Sequence, residues 1–334
     1  MIISKLKFQQ ALEKVKPGLA KSDTLQQATS FAFSKGKVIT YNDEISISTP
    51  IELDIEGAIP SENLYKFLSK IKKDEVELTL EGNEILLTSG RSKAGLTIEA
   101  EVKLPLDEVS GKKQWNELPE NFNKYMKFAM TACSRDMSKP VLTCVNIAKE
   151  GVLEASDGFR IVQCHLDSGM PLDTFLLPST SILHVVKLQP NLVSGGNGWV
   201  HFKNDEDTVI SCRIFEDVFP PVNAHLKVEG VKITLPRTIE EILDRAMVFS
   251  KKDSMLDECV IITIEDRRLT IRAEGDGSWF EEEVNLRYEG DTIKFNITPF
   301  LLKDILKETQ GCLIGENKLK FEGEGWKYII ALRA

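Results

Sequence analysis

Leu64, Phe67, Leu68 and Ile71 recur at i, i+3, i+4 and i+7, the spacing that gathers apolar side chains on one face of an α-helix. Lys66, Lys70 and Lys73 fall at steps of four and three on another face. Pro60 and Ser61 fit the capping position before this run, and Glu62 complements the positive end of the helix dipole. The pattern predicts one amphipathic helix with an apolar side to bury and a cationic side to display.

The same signal returns along the chain. Apolar-periodic helices follow Pro119, Pro178, Pro236 and Pro299, and the successive intervals from Pro60 are 59, 59, 58 and 63 residues. A step of 59 back from Pro60 reaches Met1, where Ile3 to Leu19 reads as another such helix, with Phe8, Leu12 and Val15 apolar and Lys7 and Lys14 off that face. A repeat at a fixed period implies stacked copies of one supersecondary unit.

Hairpins are expected between the helices. Val76 to Leu80 and Ile85 to Thr88 flank a turn at Glu81-Gly82-Asn83, and Ala94 to Val102 supplies a third, alternating strand. The helix at Phe122 to Ala132 leads into strands at Leu142 to Ala148, Val152 to Ala155 and Phe159 to Leu166. After the helix at Ser181 to Leu188, Ser194-Gly195-Gly196-Asn197-Gly198 reads as a Gly-rich loop before strands at Trp199 to Phe202 and Thr208 to Ile214. The last third gives strands at Glu258 to Ile264, Leu269 to Ala273, Phe280 to Leu286, Thr292 to Asn296, Leu319 to Phe321 and Tyr328 to Leu332.

One helix with about three strands buries its apolar faces poorly, whereas two such units packed together bury them well. Pairing the units predicts an α+β protein of three similar domains, 1–114, 115–230 and 231–334, joined through polar connectors at Lys112 to Asn116 and His225 to Val231. A chain of 334 residues, 42% hydrophobic and 28% charged, is long enough for them. No apolar run is long enough for a membrane span, the first helix is too rich in Lys and Gln for a signal peptide, and a cytoplasmic protein is expected.

Charge sharpens the picture. The chain carries a net −9, yet the six helical stretches together carry +11, so the remainder carries −20. A single basic helix is most simply a solvated face, but segregation over successive repeats predicts one side suited to phosphates and another that repels them.

Candidate catalytic chemistry is thin. The six cysteines (Cys133, Cys144, Cys164, Cys212, Cys259 and Cys312) form no CxxC pair and read as reduced and buried. None of His165, His184, His201 and His225 has a ligand partner at metal-binding spacing. The Gly195 region lacks the Gly-Lys-Ser/Thr ending of a phosphate loop, and Glu281-Glu282-Glu283 alternate faces if they lie on a strand. Neither a metal, a cofactor nor an enzymatic activity is expected.

Short motifs then fall in a telling order. Ser89-Gly90-Arg91-Ser92-Lys93 precedes Leu104-Pro105. Glu154-Ala155-Ser156-Asp157-Gly158-Phe159-Arg160-Ile161 follows, then Phe215-Glu216-Asp217-Val218-Phe219-Pro220, and finally Tyr328-Ile329-Ile330-Ala331-Leu332-Arg333. In this order, spanning the whole chain, they resemble the bacterial sliding clamp, the beta subunit of the replicative DNA polymerase III. Asp157-Gly158-Phe159-Arg160 is similar to that family's Asp-Gly-His-Arg.

The resemblance implies a non-catalytic processivity factor: a head-to-tail homodimeric ring of three-domain subunits, lined by twelve helices, through which duplex DNA passes. Loose phosphate contacts suit a ring held topologically. The candidates are Lys14, Lys21, Lys66, Lys70, Lys73, Lys127, Lys187 and Lys251, with Arg135 and Lys139 in the loop after the third helix. The family's polymerase, clamp loader and repair partners insert a linear peptide into an apolar pocket. Here that pocket would involve Ser156, Gly158, Phe159, Arg160, Ile161, Pro220, Leu226, Ile329 and Ala331; Ile161 and Ile329 read equally well as plain strand core. At the subunit interface Leu106 and Val109 would meet Val248 and Phe249, flanked by Lys70 or Lys73 and by Glu282 or Glu283.

The chain departs from the family in three places. It ends Ala331-Leu332-Arg333-Ala334 without the usual methionine and proline, Phe159 replaces the common histidine, and Leu25-Gln26-Gln27-Ala28 stands where a Leu-Pro-Ile run is usual. A divergent clamp, of phage or prophage type, with an altered peptide preference is expected. Two other readings stay open: a clamp-like adaptor or decoy that binds replication proteins without closing into a ring, and a metal-dependent nucleic-acid enzyme on the same scaffold.

Overall fold

The computed structural model describes residues 1–22, 25–111, 113–275 and 277–333. Lys112, at the first expected connector, and Ala334, at the chain end, lie outside them.

The repeat is real and richer than its pattern suggested. Each unit is a strand, a helix and three further strands. The first has β1 (Ile2–Ser4), α1 (Lys5–Val15), β2 (Ser30–Ser34), β3 (Lys37–Tyr41) and β4 (Ile45–Pro50). The second has β5 (Gly57–Pro60), α2 (Ser61–Lys70), β6 (Glu75–Glu81), β7 (Glu84–Ser89) and β8 (Ser92–Thr97), and a short α3 (Asp107–Ser110) follows it. The third has β9 (Asn116–Glu117), α4 (Phe122–Ala129), β10 (Cys144–Ile147), β11 (Val152–Ser156) and β12 (Arg160–His165). The fourth has β13 (Phe175–Pro178), α5 (Ser179–Leu188), β14 (Leu192–Gly196), β15 (Trp199–Lys203) and β16 (Val209–Arg213). The fifth has β17 (Val231–Thr234), α6 (Ile239–Phe249), β18 (Val260–Glu265), β19 (Arg268–Gly275) and β20 (Ser278–Asn285). The sixth has β21 (Ile293–Ile297), α7 (Pro299–Leu306), β22 (Gly311–Ile314), β23 (Lys318–Gly323) and β24 (Trp326–Ala331).

The prolines mark helix starts for a physical reason. Pro60 and Pro178 end a strand at extended ψ and hold the cap position without a side-chain hydrogen bond, and Pro299 sits inside the first turn. Three expectations are corrected. The first helix is shorter than Ile3 to Leu19, because Ile3 belongs to β1 and Pro17 converts the end into a 3₁₀ turn. α2 stops at Lys70, since Ile71 is extended, so Lys73 does not share the helical face of Lys66 and Lys70. The Gly-rich stretch is strand β14 closing on β15 through Asn197 (φ 55°) and Gly198 (φ 76°), a two-residue turn whose positive φ values suit Asn-Gly.

Contacts divide the chain into two compact units. One comprises Met1–Lys127, Ala148–Glu150 and Asp167–Glu216; the other comprises Phe128–Ile147, Gly151–Leu166 and the described residues from Asp217 on. In the first, a sheet of order β5-β2-β3-β4-β16-β15-β14-β9 continues across the β4–β16 pairing, where Ile47 lies opposite Ile210. α1 and α2 lie side by side on it, with Phe8, Leu12, Val15, Leu64 and Leu68 fully buried. Each such side chain contributes on the order of 2 kcal/mol of burial free energy. A smaller sheet, β1-β6-β7-β8, completes this unit. The second unit repeats the plan: strands in the order β10-β11-β12-β24-β23-β22-β17 continue across β12–β24, while β20-β19-β18-β21 and the pair α6 and α7 complete it.

Candidate functional site

The Asp157-Gly158-Phe159-Arg160 turn closes β11 onto β12 and is fixed by its own side chains. Asp157 Oδ1 accepts the N–H groups of Phe159 (3.0 Å) and Arg160 (2.9 Å). The Ser156 hydroxyl accepts from Gly158 N–H (3.1 Å) and donates to the Arg160 carbonyl (2.8 Å). Gly158 takes φ +90°, a conformation that glycine adopts without strain.

Strand parity divides the expected pocket residues into two sets. On β12 and β24, Ile161 lies opposite Ile329, and the Phe159 carbonyl accepts from Ala331 N–H at 2.8 Å. Because side chains alternate, Phe159, Ile161, Ile329 and Ala331 share one face, while Arg160, Val162, Tyr328 and Ile330 share the other. Phe159 is 40% exposed and Ile329 is 3% exposed, so the first set offers a shallow apolar surface over buried strand. The linker after β16 covers part of that face. Gln163, in phase with Ile161, donates to Asn223 Oδ1 at 3.4 Å, and Val222 and Leu226 are buried while Pro220 is exposed.

Arg160, by the same parity, projects to the opposite face from Phe159 and Ile161. Its guanidinium, 7% exposed, pairs with Asp157 (2.9 Å) and Asp304 (2.8 Å) and donates to the Tyr328 hydroxyl (2.9 Å). It also lies 5.6 Å from the Phe300 ring centroid. Burial alone would lower its pKa, but Tyr328, Asp157 and Asp304 more than offset that, and it stays cationic. Burial pushes the Tyr328 hydroxyl well above its ordinary range despite that neighbouring charge. This cluster ties the turn to α7 across the interior.

The expected cations are all exposed: Lys14, Lys21, Lys66, Lys70, Lys73, Lys127, Arg135, Lys139, Lys187 and Lys251. Only Lys14, Lys66, Lys70, Lys127 and Lys187 stand on helices; the others lie in the segments that follow them. Lys14 is paired with Glu206 (2.5 Å) and Lys66 with Glu62. The C-terminal parts of α1 and α5 meet around a cavity of about 320 Å³ that Lys14 and Lys187 both line.

Of the expected interface residues, Val109 is buried and Leu106, half-buried, is packed with it against Tyr41 and Trp199. Val248 is 71% exposed. Phe249 stacks on Phe280 with centroids 5.6 Å apart. Glu282 forms two 2.8 Å hydrogen bonds with Arg245, Glu283 pairs with Arg268 (3.1 Å) and Glu281 with Arg272 (3.1 Å). Glu281 and Glu283 do alternate with Glu282 across β20, as a strand requires.

The structure adds residues that pattern reading missed. Gln163 and Asn223 hold the linker to β12, and the parity of Phe159, Ile161 and Gln163 was the signal for the first. Gln27, at φ +66° and 5% exposed, donates to Glu99 (2.9 Å) and the Glu101 carbonyl (2.8 Å) and accepts from Lys103 N–H (2.7 Å). The unusual Leu25-Gln26-Gln27-Ala28 stretch is thus clasped to the segment after β8.

Six strand-helix-strand units, with α1 paired with α2 and α6 with α7 against continuous antiparallel sheets, define a repeat-built α+β protein of the DNA-clamp type. That is the fold of the bacterial DNA polymerase III beta subunits, the sliding clamps. The chain is similar to DNA polymerase III subunit beta from Pseudomonas aeruginosa, with TM-score 0.85 and 15% identity over 100% of this chain and 99% of that one. It is similar to the DNA polymerase III beta chain from Streptococcus pneumoniae, with TM-score 0.84 and 19% identity over 100% and 99%. It is also similar to the DNA polymerase sliding clamp from Bacillus subtilis, with TM-score 0.83 and 17% identity over 100% and 98%. At such identities what is shared is the fold. No family model and no curated protein sequence matches the chain. Among the described residues no helix is long and apolar enough to cross a membrane.

Proposed function

We propose that this protein is a DNA polymerase processivity factor, a non-catalytic sliding clamp. Two copies would join head to tail around duplex DNA and tether a polymerase, a clamp loader and other replication factors. The observation that carries this reading is the full-length likeness to solved clamps, reached through six units of one plan.

In this reading the chain forms three domains, 1–114, 115–230 and 231–334, and the exposed cations from Lys14 to Lys251 make weak contacts to phosphates. Pairing of Lys14 and Lys66 with carboxylates in their own chain lowers the net attraction, which suits a surface that must slide. Partners' peptides dock on the face formed by Phe159, Ile161, Ile329 and Ala331 beside Pro220 and Leu226, with Ser156 and Gly158 shaping the turn. Among the described residues β8 and β20 are sheet edges with one partner strand each. Such edges are ready to pair with another chain. Val248, Phe249, Glu282 and Glu283 lie on α6 and β20, while Leu106 caps α3 and Val109 lies within it.

A second reading, an adaptor that never closes, draws support from Glu282 and Glu283. Both are already paired with arginines of their own chain, which leaves less charge for a neighbouring copy. Loading onto plasmid DNA separates the two. A clamp co-elutes with nicked circular plasmid when its loader and ATP are supplied and is lost within minutes of linearisation; an adaptor shows no difference between circle and line.

A further inference from the structure

From β2 to β9 the first large sheet matches the second strand for strand, and so do the turns beside their central pairings. Asn42 Oδ1 accepts from Glu44 N–H (3.2 Å) and Ile45 N–H (2.9 Å), just as Asp157 Oδ1 does from Phe159 and Arg160. Asp43 at φ +74° stands where Gly158 is at +90°. Arg213 N–H reaches the Glu44 carbonyl at 2.9 Å, as Ala331 N–H reaches that of Phe159 at 2.8 Å. Ser46 lies opposite Ser211 where Ile161 lies opposite Ile329. The proposed peptide face therefore has a structural counterpart on β4 and β16, with hydroxyls in place of isoleucines.

That counterpart is hollow. A cavity of about 690 Å³ lies between the sheet and the segment carrying α3, with Ser46, Ser48, Val209 and Ser211 on its floor and Trp115, Leu106 and Val109 on its walls. Parity puts Ile47 and Ile210 on the opposite face, toward α1 and α5. Four lysines line the cavity, Lys35, Lys37, Lys113 and Lys203, against two carboxylates, Asp107 and Asp207. Asp207 is paired with Lys203, whereas Lys35 and Lys37 are exposed and form no ion pair among the described residues. Lys113 is directed inward: its Nζ donates to the Val109 carbonyl and, at 3.3 Å, to that of Gly111. Burial and the nearby charge of Lys37 both press it toward losing its proton. An excess of cations thus surrounds a recess with aromatic and aliphatic walls, in a chain whose net charge is −9.

We propose that this cavity is a second docking site, for a short acidic peptide segment of a partner protein that carries an apolar side chain. Charge complementarity names the occupant: carboxylates would sit among Lys35, Lys37 and Lys113, and the apolar side chain against Trp115 and Val209. A nucleic acid strand fits less well, because Asp107 and Asp207 stand on the rim and the stacking surface is a single Trp.

The test uses the full chain and a fluorescein-labelled octapeptide alternating Glu and Leu, read by anisotropy at low salt. Expected are saturable binding, weakening with added salt, and at least a tenfold loss in the Lys35→Glu/Lys37→Glu variant. The same charge change at the exposed Lys252 and Lys294 should leave binding within twofold, with melting curves confirming that both variants fold. Absence of binding at millimolar peptide, or equal loss in both variants, overturns the proposal. So does tighter binding of an octanucleotide through the same lysines, which would assign the cavity to a phosphate backbone.

Discussion

Replacing Arg160 with Ala separates a residue that braces the fold from one that contacts a partner. The substitution leaves the Asp157 carboxylate, whose side chain is 7% exposed, without its cation, and removes the donor to the buried Tyr328 hydroxyl. Asp304 is 38% exposed and water can take over much of its solvation. Breaking a buried ion pair by removing one partner costs about 3–5 kcal/mol. The solvated share of Asp304 places the expectation at the lower end, about 3 kcal/mol. Since about 1.4 kcal/mol is a factor of ten, amide hydrogens of β12 and β24 that exchange through local opening should exchange on the order of a hundredfold faster. Arg160→Lys keeps the charge but loses the planar fork that reaches Asp157 and Asp304 together, and should fall between the two, about tenfold. Exchange within threefold of the parent protein in Arg160→Ala, combined with weaker peptide binding, would refute the reasoning and return Arg160 to the pocket.

Two further outcomes are expected. His201, 5% exposed and hydrogen-bonded to Ser211 at 2.7 Å, has its pKa lowered to about 4 by burial, with the Lys113 charge adding. The folded protein keeps the ring neutral while the unfolded chain takes up a proton below about pH 6.5. Stability from this group is therefore whole above that value and falls as pH drops toward 4. Between pH 7 and pH 5 the loss is about 2 kcal/mol. The urea midpoint of His201→Gln should lack that part of the decline, and identical pH profiles would contradict the assignment. Gln27→Ala leaves Lys103 N–H and the Glu101 carbonyl without their partner and should cost about 2 kcal/mol. Gln27→Gly should recover about 1 kcal/mol of that by relieving the positive φ; equal urea midpoints for the two would show that the backbone carries no strain there.

Much of the architecture was legible because amphipathic periodicity is a long-range signal. Pro60-Ser61 and the run from Leu64 to Ile71 mark α2 to within a residue, and the recurring prolines pointed to the six-unit plan. Of the strands that precede the helices only β21 was legible, as Thr292 to Asn296, since stretches as short as β9 and β1 give alternation no room to register. The helix end beyond Lys70 was missed because Ile71, Lys72 and Lys73 continue a helical pattern in composition while tertiary packing draws Ile71 into an extended conformation. The site was half legible. Parity alone would have set Arg160 apart from Phe159 and Ile161, but a turn motif was read as a block. Gln27 had no sequence signal, because Leu-Gln-Gln-Ala has the composition of a helix and its buried, left-handed conformation depends on partners more than 70 residues away. The polar cavity beneath α3 was equally hidden, since Lys35, Lys113 and Lys203 converge only through the pairing of β4 with β16.

The central claim is that two copies close around DNA, and the most direct test is the solution mass by light scattering across a dilution series. The account predicts a mass near twice 37.5 kDa that persists on dilution. A mass that stays at one chain at every concentration would contradict it.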